Sequence, residues 1–430
     1  MAKDTPLEWR NLNIYSIFLR NFSKNGTFNA VHSSLDRIKY LGTDVIWFLP
    51  FYPIGEKNRK GSAGSPYAIK DFRAIDPDVG TLDEFKFLIK EIHKRNMKVM
   101  IDIVFNHTAP DSVLAQEHPE WFYRKADGSM GNRVGEWTDI VDLDYSNKEL
   151  WDYQLETLVQ WAEIVDGFRC DVAPLIPIDF WKEARARVNA MKPNFIWLSE
   201  TVEPHFIKHL RERDLIAHSD AEIYEAFDLT YAYDVFPEFK AYLAGEIPLS
   251  DYVGALNRQE TIYPSNYVKL RFLENHDQDR IVNSLVDIED LVEWTAFNYF
   301  QKGATLVYNG QEVGSKRLPN LFEKDPIDWV TGIDLSMWLQ SLVDIKKEHV
   351  PVENFPYHLE AIDELDTVIM TYDCEDSKKI GVFNLKHHKA WVPLKVPDGE
   401  YYNLVKNRLF EVVDGKVSTI EAPIFFTIEK

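Results

Sequence analysis

Four clusters of polar side chains with the chemistry of a catalytic site each follow an apolar run of the sequence. A single Asp after a strand is ordinarily a helix cap or a turn residue. Independent capping does not predict acid, amide, imidazole and guanidinium groups after several strands in succession. The clusters therefore indicate a site for nucleophilic and general acid–base chemistry. They are Asp102, Asn106 and His107 in DIVFNH, Arg169 and Asp171 in GFRCD, Glu200 in FIWLSE, and His276 and Asp277 in FLENHD.

The elements that must position these clusters alternate between strand and helix. Such alternation implies a parallel sheet, either open and doubly wound or closed into a (β/α)8 barrel. No GxGxxG follows the first strand, and about eight strands favour an α/β fold of the TIM-barrel type, in which catalytic groups lie at the C-terminal ends of the strands. The predicted strands are 13–19, 45–50, 99–105, 165–170, 195–198, 224–231, 268–273 and 305–308.

Local signals predict where several helices begin and end. Apolar residues at helical spacing over 31–41 predict one helix, which Gly42 can terminate. Thr81 with Glu84 matches the capping box, and Ser146 with Glu149 suggests a second one. These helices supply the connections that a parallel barrel needs.

Two segments interrupt the alternation. One holds turn residues and aromatics where a helix is expected after the third strand, which predicts a short insertion. Toward the C-terminus the pattern changes to short strands, with Asp414-Gly415 as a hairpin turn. The predicted domains are a catalytic barrel of residues 1–107 and 147–350, an insertion of residues 108–146, and a C-terminal antiparallel β-sandwich of residues 351–430.

The amino-acid composition disfavours some classes of binding partner and favours others. The net charge of -21 disfavours nucleic acid and anionic membranes, whereas aromatic residues at 13% suit a neutral sugar whose apolar faces pack on rings. Cys170 and Cys374 lack metal-type spacing, so we expect reduced thiols rather than a disulfide framework. No apolar run is long enough for a signal h-region or a membrane span, so we expect a cytoplasmic protein.

The four clusters, in this order, resemble the conserved regions of the α-amylase family of glycoside hydrolases, which act on α-glucans. The resemblance runs from about Asn13 to Tyr308 and includes SPYAIKDFRAIDPDVGT after the second strand. It implies a retaining mechanism with Asp171 as the nucleophile, Glu200 as the general acid and base, and Asp277 as the transition-state stabiliser.

The same resemblance implies the residues that bind the substrate. His107 and His276 are similar to the family's hydrogen-bond donors to the sugar, and Tyr67 to its stacking platform. Arg169, two residues before Asp171 on one strand, points to the same side and can hold the nucleophile ionised. Arg169 can also pair with Asp102, which we include in the substrate-binding set.

The sequence departs from the family pattern after the nucleophile. Many α-amylases continue with a Lys-His pair that serves an acceptor subsite and a calcium site, but here Asp171 is followed by VAPL. Asn106 and Asp142 could supply oxygen ligands, yet two fall short of the six to eight that calcium takes. We therefore predict no cofactor and no firmly held calcium. Val172 is similar to the residue at this place in some α-1,6-glucosidases.

Several functions remain open at this stage. The leading hypothesis is an intracellular hydrolase of maltodextrins or related α-gluco-oligosaccharides. A transglycosylase, of the glucanotransferase or sucrose-isomerase type, would use the same covalent intermediate, and an α-1,6-glucosidase would use the same scaffold. A non-catalytic carbohydrate-binding barrel is the remote alternative. The sequence leaves linkage preference, endo or exo action and oligomeric state undetermined.

Overall fold

The computed structural model, which describes residues 2–135 and 137–430, contains a closed barrel of eight parallel strands. Going round the barrel, the strand order is β1, β10, β9, β8, β7, β6, β3, β2. Every residue of these strands is buried except Lys98, because helices cover the outer face of a parallel barrel and side chains fill its interior. The predicted TIM-barrel fold is thus confirmed. The strands, numbered along the chain, are β1 (Asn13–Ile17), β2 (Val45–Phe48), β3 (Lys98–Ile103), β4 (His107–Thr108), β5 (Val141–Asp142), β6 (Gly167–Cys170), β7 (Ile196–Ser199), β8 (Leu229–Tyr231), β9 (Val268–Arg271), β10 (Ala304–Tyr308), β11 (Tyr357–Ile362), β12 (Thr367–Asp373), β13 (Ser377–Asn384), β14 (Trp391–Pro393), β15 (Gly399–Asn403), β16 (Arg408–Val412), β17 (Lys416–Ser418) and β18 (Ile424–Glu429).

Helices connect the barrel strands. The capping box predicted at Thr81 and Glu84 is present, with both reciprocal hydrogen bonds formed. The helices are α1 (Leu19–Phe22), α2 (Phe28–His32), α3 (Leu35–Tyr40), α4 (Leu82–Lys94), α5 (Val113–Glu117), α6 (Lys148–Ala162), α7 (Ile178–Met191), α8 (Pro204–Arg211), α9 (Asp220–Ile223), α10 (Phe236–Leu243), α11 (Leu249–Ile262), α12 (Ile288–Phe300) and α13 (Ser336–His349).

Two predictions about helices are wrong. The single helix predicted over 31–41 is split into α2 and α3, because the Ser33 and Ser34 hydroxyls donate back to carbonyls four residues earlier and compete with the helical backbone. The capping box predicted at Ser146 is absent, since the Asp144 carboxylate accepts from the Ser146 backbone N–H. Asn147 caps α6 instead, accepting from the Glu149 N–H.

The strand predicted over 224–231 is shorter than expected. It begins only at Leu229, because Tyr224 and Phe227 complete the turn after α9 by donating their N–H groups to Asp220 and Ile223. Only the last part of the apolar run therefore reaches the barrel. Its neighbours β7 and β9 pair with it in parallel, so the barrel closes despite the short strand.

The segment after β3 lies on the C-terminal side of the barrel, where an insertion was predicted. Its two ends are joined by the short antiparallel pair β4 and β5, in which His107 faces Asp142. β4 begins four residues after β3 ends, so the insertion leaves the barrel at the C-terminal end of β3. The predicted limits of the insertion stay a prediction.

The C-terminal segment is antiparallel throughout. Strands β11, β12, β13 and β18 form a four-stranded sheet, and β14 with β17 and β15 with β16 form two ribbons around a separate apolar cluster. Asp414 and Gly415 both have positive φ, and Val413 and Lys416 exchange backbone hydrogen bonds across them. The predicted hairpin turn is confirmed, because a two-residue turn of this kind requires left-handed backbone at both positions.

Two further observations concern residues singled out in the sequence. Cys170 and Cys374 are both buried, and they are not bonded to each other. Among residues 2–135 and 137–430, none of the helices has the length and apolar character needed to cross a membrane.

Candidate active site

The barrel brings the four polar clusters together at the C-terminal ends of neighbouring strands. Asp102 near the end of β3 is the register partner of Arg169 in β6, so the two side chains start side by side. Asp171 follows β6, and Glu200 follows β7. All four are at least nine-tenths buried. Because the strands are adjacent and parallel, the residues at their C-terminal ends are in contact although they are far apart in sequence.

Arg169 is the centre of the site. Its Nη1 donates to Asp102 Oδ1 at 2.8 Å and to Asp171 Oδ1 at 2.9 Å, while its Nη2 lies 2.9 Å from Glu200 Oε2. Burial alone would lower the pKa of Arg169, but the surrounding carboxylates, Asp102 and Glu200 foremost, raise it well above its usual value. One permanently charged guanidinium therefore holds three carboxyl groups, and the two expected roles of Arg169 coexist.

Three aromatic rings enclose the Arg169 guanidinium. The ring centres of Trp47, Tyr67 and Tyr231 lie 5.3, 5.6 and 5.6 Å from its central carbon. A guanidinium can approach aromatic faces at this distance favourably, and the rings exclude water that would weaken its ion pairs.

The three carboxyl groups predicted to do the chemistry differ in pKa. Burial raises the pKa of Glu200 to about 8, with Arg169 opposing and the charges of Asp171 and Asp277 adding to the rise. Burial also raises the pKa of Asp171, but only to about 6, with Arg169 opposing. Burial would raise the pKa of Asp277 too, but the adjacent His276 lowers it. Near neutral pH, Glu200 is thus the group that keeps its proton.

The backbone at Val172 contributes to the position of Glu200. Val172 has φ of 34°, in the left-handed region that a β-branched residue rarely adopts, and its N–H donates to Glu200 Oε2 at 2.9 Å. Backbone strain of this kind costs about 1–3 kcal/mol and persists where surrounding contacts enforce it. With Oε2 held by Val172 and Arg169, the other oxygen of Glu200 is left to face the cleft.

The remaining predicted residues surround these carboxyls. The Tyr67 ring stacks on His276 with centroids 5.6 Å apart, and its hydroxyl lies 2.6 Å from His276 Nε2. The same Nε2 is 3.0 Å from Asp277 Oδ2. His107 Nε2 is 4.0 Å from Asp171 Oδ2. The predicted site residues therefore form one connected group.

A cleft of about 260 Å³ opens above this group. Tyr67, His107, Asp171, Glu200 and Asp277 line it directly. Asp102 and Arg169, with fully buried side chains, and His276 lie beneath that surface and act through the residues above them.

The structure adds cleft residues that the sequence did not suggest. Lys60, Trp137, Asp139 and Phe322 reach the cleft from three different connections between strands. They share no spacing with the catalytic clusters, because each lies within a loop. The aromatic content of residues 108–146 was the one signal in the sequence, and it pointed to the segment rather than to Trp137.

Comparison with known proteins assigns this chain to a family. The family model for the catalytic domain of alpha amylase matches residues 14–354. The chain belongs to the alpha-amylase family. A second model, for the C-terminal domain of bacterial alpha amylases, matches residues 358–426.

Individual members of the alpha-amylase family are similar over most of the chain. The crystal structure of an alpha-amylase from Lactobacillus plantarum is 46% identical, with a TM-score of 0.95 over 98% of this chain and 100% of that chain. The noncanonic maltogenic alpha-amylase AmyB from Thermotoga neapolitana is 32% identical, with a TM-score of 0.87 over the same shares of the two chains. Alpha-amylase MalA of Haloarcula japonica is 29% identical over 327 residues, which are 73% of this chain and 46% of the relative. The chain thus spans about half the length of that curated relative.

Asn106 and Asp142 are the two residues of this chain that could supply oxygen ligands to the calcium that the alpha-amylase family implies. Asp142 Oδ2 accepts from the Arg133 N–H at 2.7 Å and lies 3.5 Å from Arg133 Nη1, which also donates to the Leu143 carbonyl at 3.1 Å. The Asn106 side-chain nitrogen lies 3.2 Å from His107 Nδ1. Asp142 Oδ1 is buried and has no hydrogen-bond partner. Among the described residues, no cluster of three or more His, Cys, Asp or Glu residues could hold a metal. The donor set does not fit calcium, because a guanidinium already neutralises Asp142.

Proposed function

We propose that this protein hydrolyses α-glucosidic bonds in maltodextrins or related α-gluco-oligosaccharides with retention of anomeric configuration. The observation that carries the proposal is the arrangement of Asp171 and Glu200, held by one guanidinium and yet separated in pKa. A retaining mechanism needs such a pair about 5 to 5.5 Å apart, one ionised and the other protonated. Sharing one guanidinium keeps the two carboxyls close.

In the first step, Asp171 attacks the anomeric carbon and Glu200 protonates the leaving oxygen. Asp171 Oδ1 is engaged by Arg169, so Oδ2 is the attacking atom. Glu200 Oε2 accepts from Val172 and faces Arg169, so the proton transferred is carried by Oε1. The bond between the anomeric carbon and the leaving oxygen breaks as the bond to Asp171 Oδ2 forms.

In the second step, water replaces the leaving sugar. Glu200, now ionised, removes a proton from that water as it attacks the anomeric carbon, and Asp171 leaves as a carboxylate. Asp277, whose pKa His276 keeps low, supplies negative charge to the oxocarbenium-like transition state. Tyr67 is the platform for the sugar ring, and His107 donates a hydrogen bond within the same subsite. His276, which is buried beneath the cleft surface, acts through its contacts with Tyr67 and Asp277.

Transfer to a sugar acceptor is the second candidate function. It uses the same glycosyl–enzyme intermediate and differs only in whether water or a second saccharide attacks it. Cleavage of α-1,6 bonds on the same scaffold is the third. The similarity to an enzyme named as maltogenic favours α-1,4-linked maltodextrins as substrates.

The test is to incubate the protein with maltoheptaose, panose, isomaltose and sucrose, and to follow products by chromatography and by the anomeric proton signals. We expect α-anomers first, and loss of turnover in Asp171→Asn. Glu163→Gln, which changes an exposed carboxylate elsewhere on the barrel, serves as the control. Initial release of β-anomers would overturn the retaining mechanism, and products longer than the substrate would identify transfer.

Two further parts of the proposal concern metal and location. We propose that the protein holds no firm calcium at the family site, supported by the pairing of Arg133 with Asp142. Tight calcium binding in calorimetry that Asp142→Ala abolishes would overturn it. We also propose a cytoplasmic location, supported by the two buried free thiols and tested by cell fractionation.

A further inference from the structure

One side of the cleft is closed by contacts between three loops. Lys60 lies in the loop after β2, Asp139 in the insertion, and Phe322 in the loop after β10. Lys60 Nζ is 2.9 Å from Asp139 Oδ1 and 5.8 Å from the centre of the Phe322 ring. We call these three residues the cleft wall.

The backbone beneath the cleft wall is tightly joined. Ala63 N–H donates to the Phe322 carbonyl at 3.0 Å, and Ser62 N–H donates to Glu323 Oε1 at 2.9 Å. Gly61 has φ of 66°, and a Cβ there would lie 2.4 Å from the Phe322 carbonyl oxygen. Only glycine permits this approach, so the contact between the two loops is built into the fold.

Arg20 fixes the same two loops from a third direction. Its Nη1 donates to the carbonyls of Gly64 and Leu321, both at 2.8 Å. Gly64 belongs to the loop after β2 and Leu321 to the loop after β10. The cleft wall therefore rests on a cross-linked base and is not a pair of free side chains.

The barrel order shows which end of a bound sugar chain meets the cleft wall. Glu200 follows β7, which lies four strands from β1 in either direction round the barrel. The loops that carry Lys60 and Phe322 follow β2 and β10, the two neighbours of β1. The wall thus stands opposite Glu200. Since the leaving saccharide departs on the side of the proton donor, the wall faces the other, non-reducing end of the chain.

We propose that the cleft wall restricts the enzyme to non-reducing ends of α-glucan chains, so that it releases one or two glucosyl units at each cleavage. The inference rests on the proposed function. The cleft of about 260 Å³ is lined both by Asp171 and Glu200 and by Lys60 and Phe322, so the wall stands close to the subsite where the bond breaks. The Lys60 ammonium uses one N–H for Asp139, and its other N–H groups donate hydrogen bonds to the hydroxyls of the terminal sugar.

The experiment compares two p-nitrophenyl maltopentaosides, one free and one blocked at its non-reducing end by an ethylidene group. We expect the protein to cleave the blocked substrate at least about tenfold more slowly than the free one. The double variant Lys60→Ala/Phe322→Ala opens the wall and raises the ratio of blocked to free cleavage by at least about tenfold. Lys57→Ala, an exposed residue of the same loop, leaves that ratio unchanged.

Each result has a distinct meaning. If the unaltered protein cleaves the blocked and free substrates equally, the proposed role of the cleft wall is wrong, while the proposed function is unaffected. The proposed role is also wrong if the double variant is folded, as shown by cooperative unfolding, and its ratio of blocked to free cleavage is unchanged. If the double variant does not fold, Phe322→Ala alone is read in the same way. Inactivity on both substrates and on the oligosaccharide panel overturns the proposed function, and the wall with it.

Discussion

At the scale of single residues, the separation in pKa between Asp171 and Glu200 predicts the pH dependence of activity. Asp171 must be ionised to attack, so kcat/KM falls as pH drops through about 6. Glu200 must be protonated to donate, so kcat/KM falls as pH rises through about 8. We expect a bell-shaped profile with its maximum between these values, measured on a maltodextrin at constant ionic strength. A profile with no alkaline limb would contradict the role of Glu200.

The role of Glu200 as proton donor predicts a dependence on the leaving group. Glu200→Gln cannot protonate the glycosidic oxygen, so we expect kcat/KM on maltoheptaose to fall by about 10²–10⁴-fold. A glycosyl fluoride needs little protonation, and its cleavage should be largely spared. Initial rates on both substrates, with Glu163→Gln as the control, check this. Equal losses on both would argue for a purely structural effect.

The residues of the site were predictable to different degrees. Asp171 and Glu200 follow apolar strands, and the rule that barrel catalytic groups lie at strand ends was enough to bring them together. Lys60 and Phe322 follow no such rule. They lie 262 positions apart in sequence, and their contact depends on how two loops fold over the barrel. The left-handed backbone at Val172 was equally hidden, because a valine there gives no sign of positive φ.

At the scale of elements, the insertion after β3 is held together internally by the pairing of Arg133 with Asp142. The Asp142 side chain is almost fully buried, so loss of Arg133 leaves a charge without its partner. We expect Arg133→Met to lower the free energy of unfolding by about 1.5–3 kcal/mol, measured by urea denaturation. Lys125→Met, an exposed cation in the same insertion, should change it by less than about 0.5 kcal/mol.

The same pair predicts the response to a chelator. Because Arg133 already neutralises Asp142, EDTA should leave the melting temperature of the unaltered protein where it was. In Arg133→Met the carboxylate loses its partner, but Asn106 and Asp142 alone are too few ligands for calcium, so added calcium should not restore the lost stability. A large fall in melting temperature on adding EDTA to the unaltered protein would show that a metal, and not Arg133, holds the insertion.

The elements themselves were easier to predict than their limits. Barrel strands are buried on both faces and consist mainly of apolar residues, so the eight strands were visible in the sequence. Side-chain hydrogen bonds decided the boundaries: Ser33 and Ser34 split one helix, and Asp144 moved a cap from Ser146 to Asn147. Such local competition changes where an element starts without changing the fold.

At the scale of the whole molecule, the C-terminal sheet and the barrel share an apolar interface. Phe425 in β18 stacks on Phe300 of α12 with ring centroids 4.6 Å apart, and Phe383 in β13 packs on the same ring at 6.1 Å. The Tyr372 hydroxyl donates to the Phe300 carbonyl at 2.8 Å, and Asn257 binds the Leu359 backbone from the barrel side. An interface of this kind couples the unfolding of its two sides.

This coupling predicts the effect of Phe425→Ala on the whole chain. Removing a fully buried ring lowers the free energy of unfolding by about 3–5 kcal/mol. Because Phe300 in the barrel loses its packing partner, we expect the barrel to be destabilised together with the sheet. We expect calorimetry to show one transition at a lower temperature. Leu409→Ala, on the exposed face of β16, should shift it little. Two transitions, with the barrel melting unchanged, would mean that the sheet only covers the barrel and does not stabilise it.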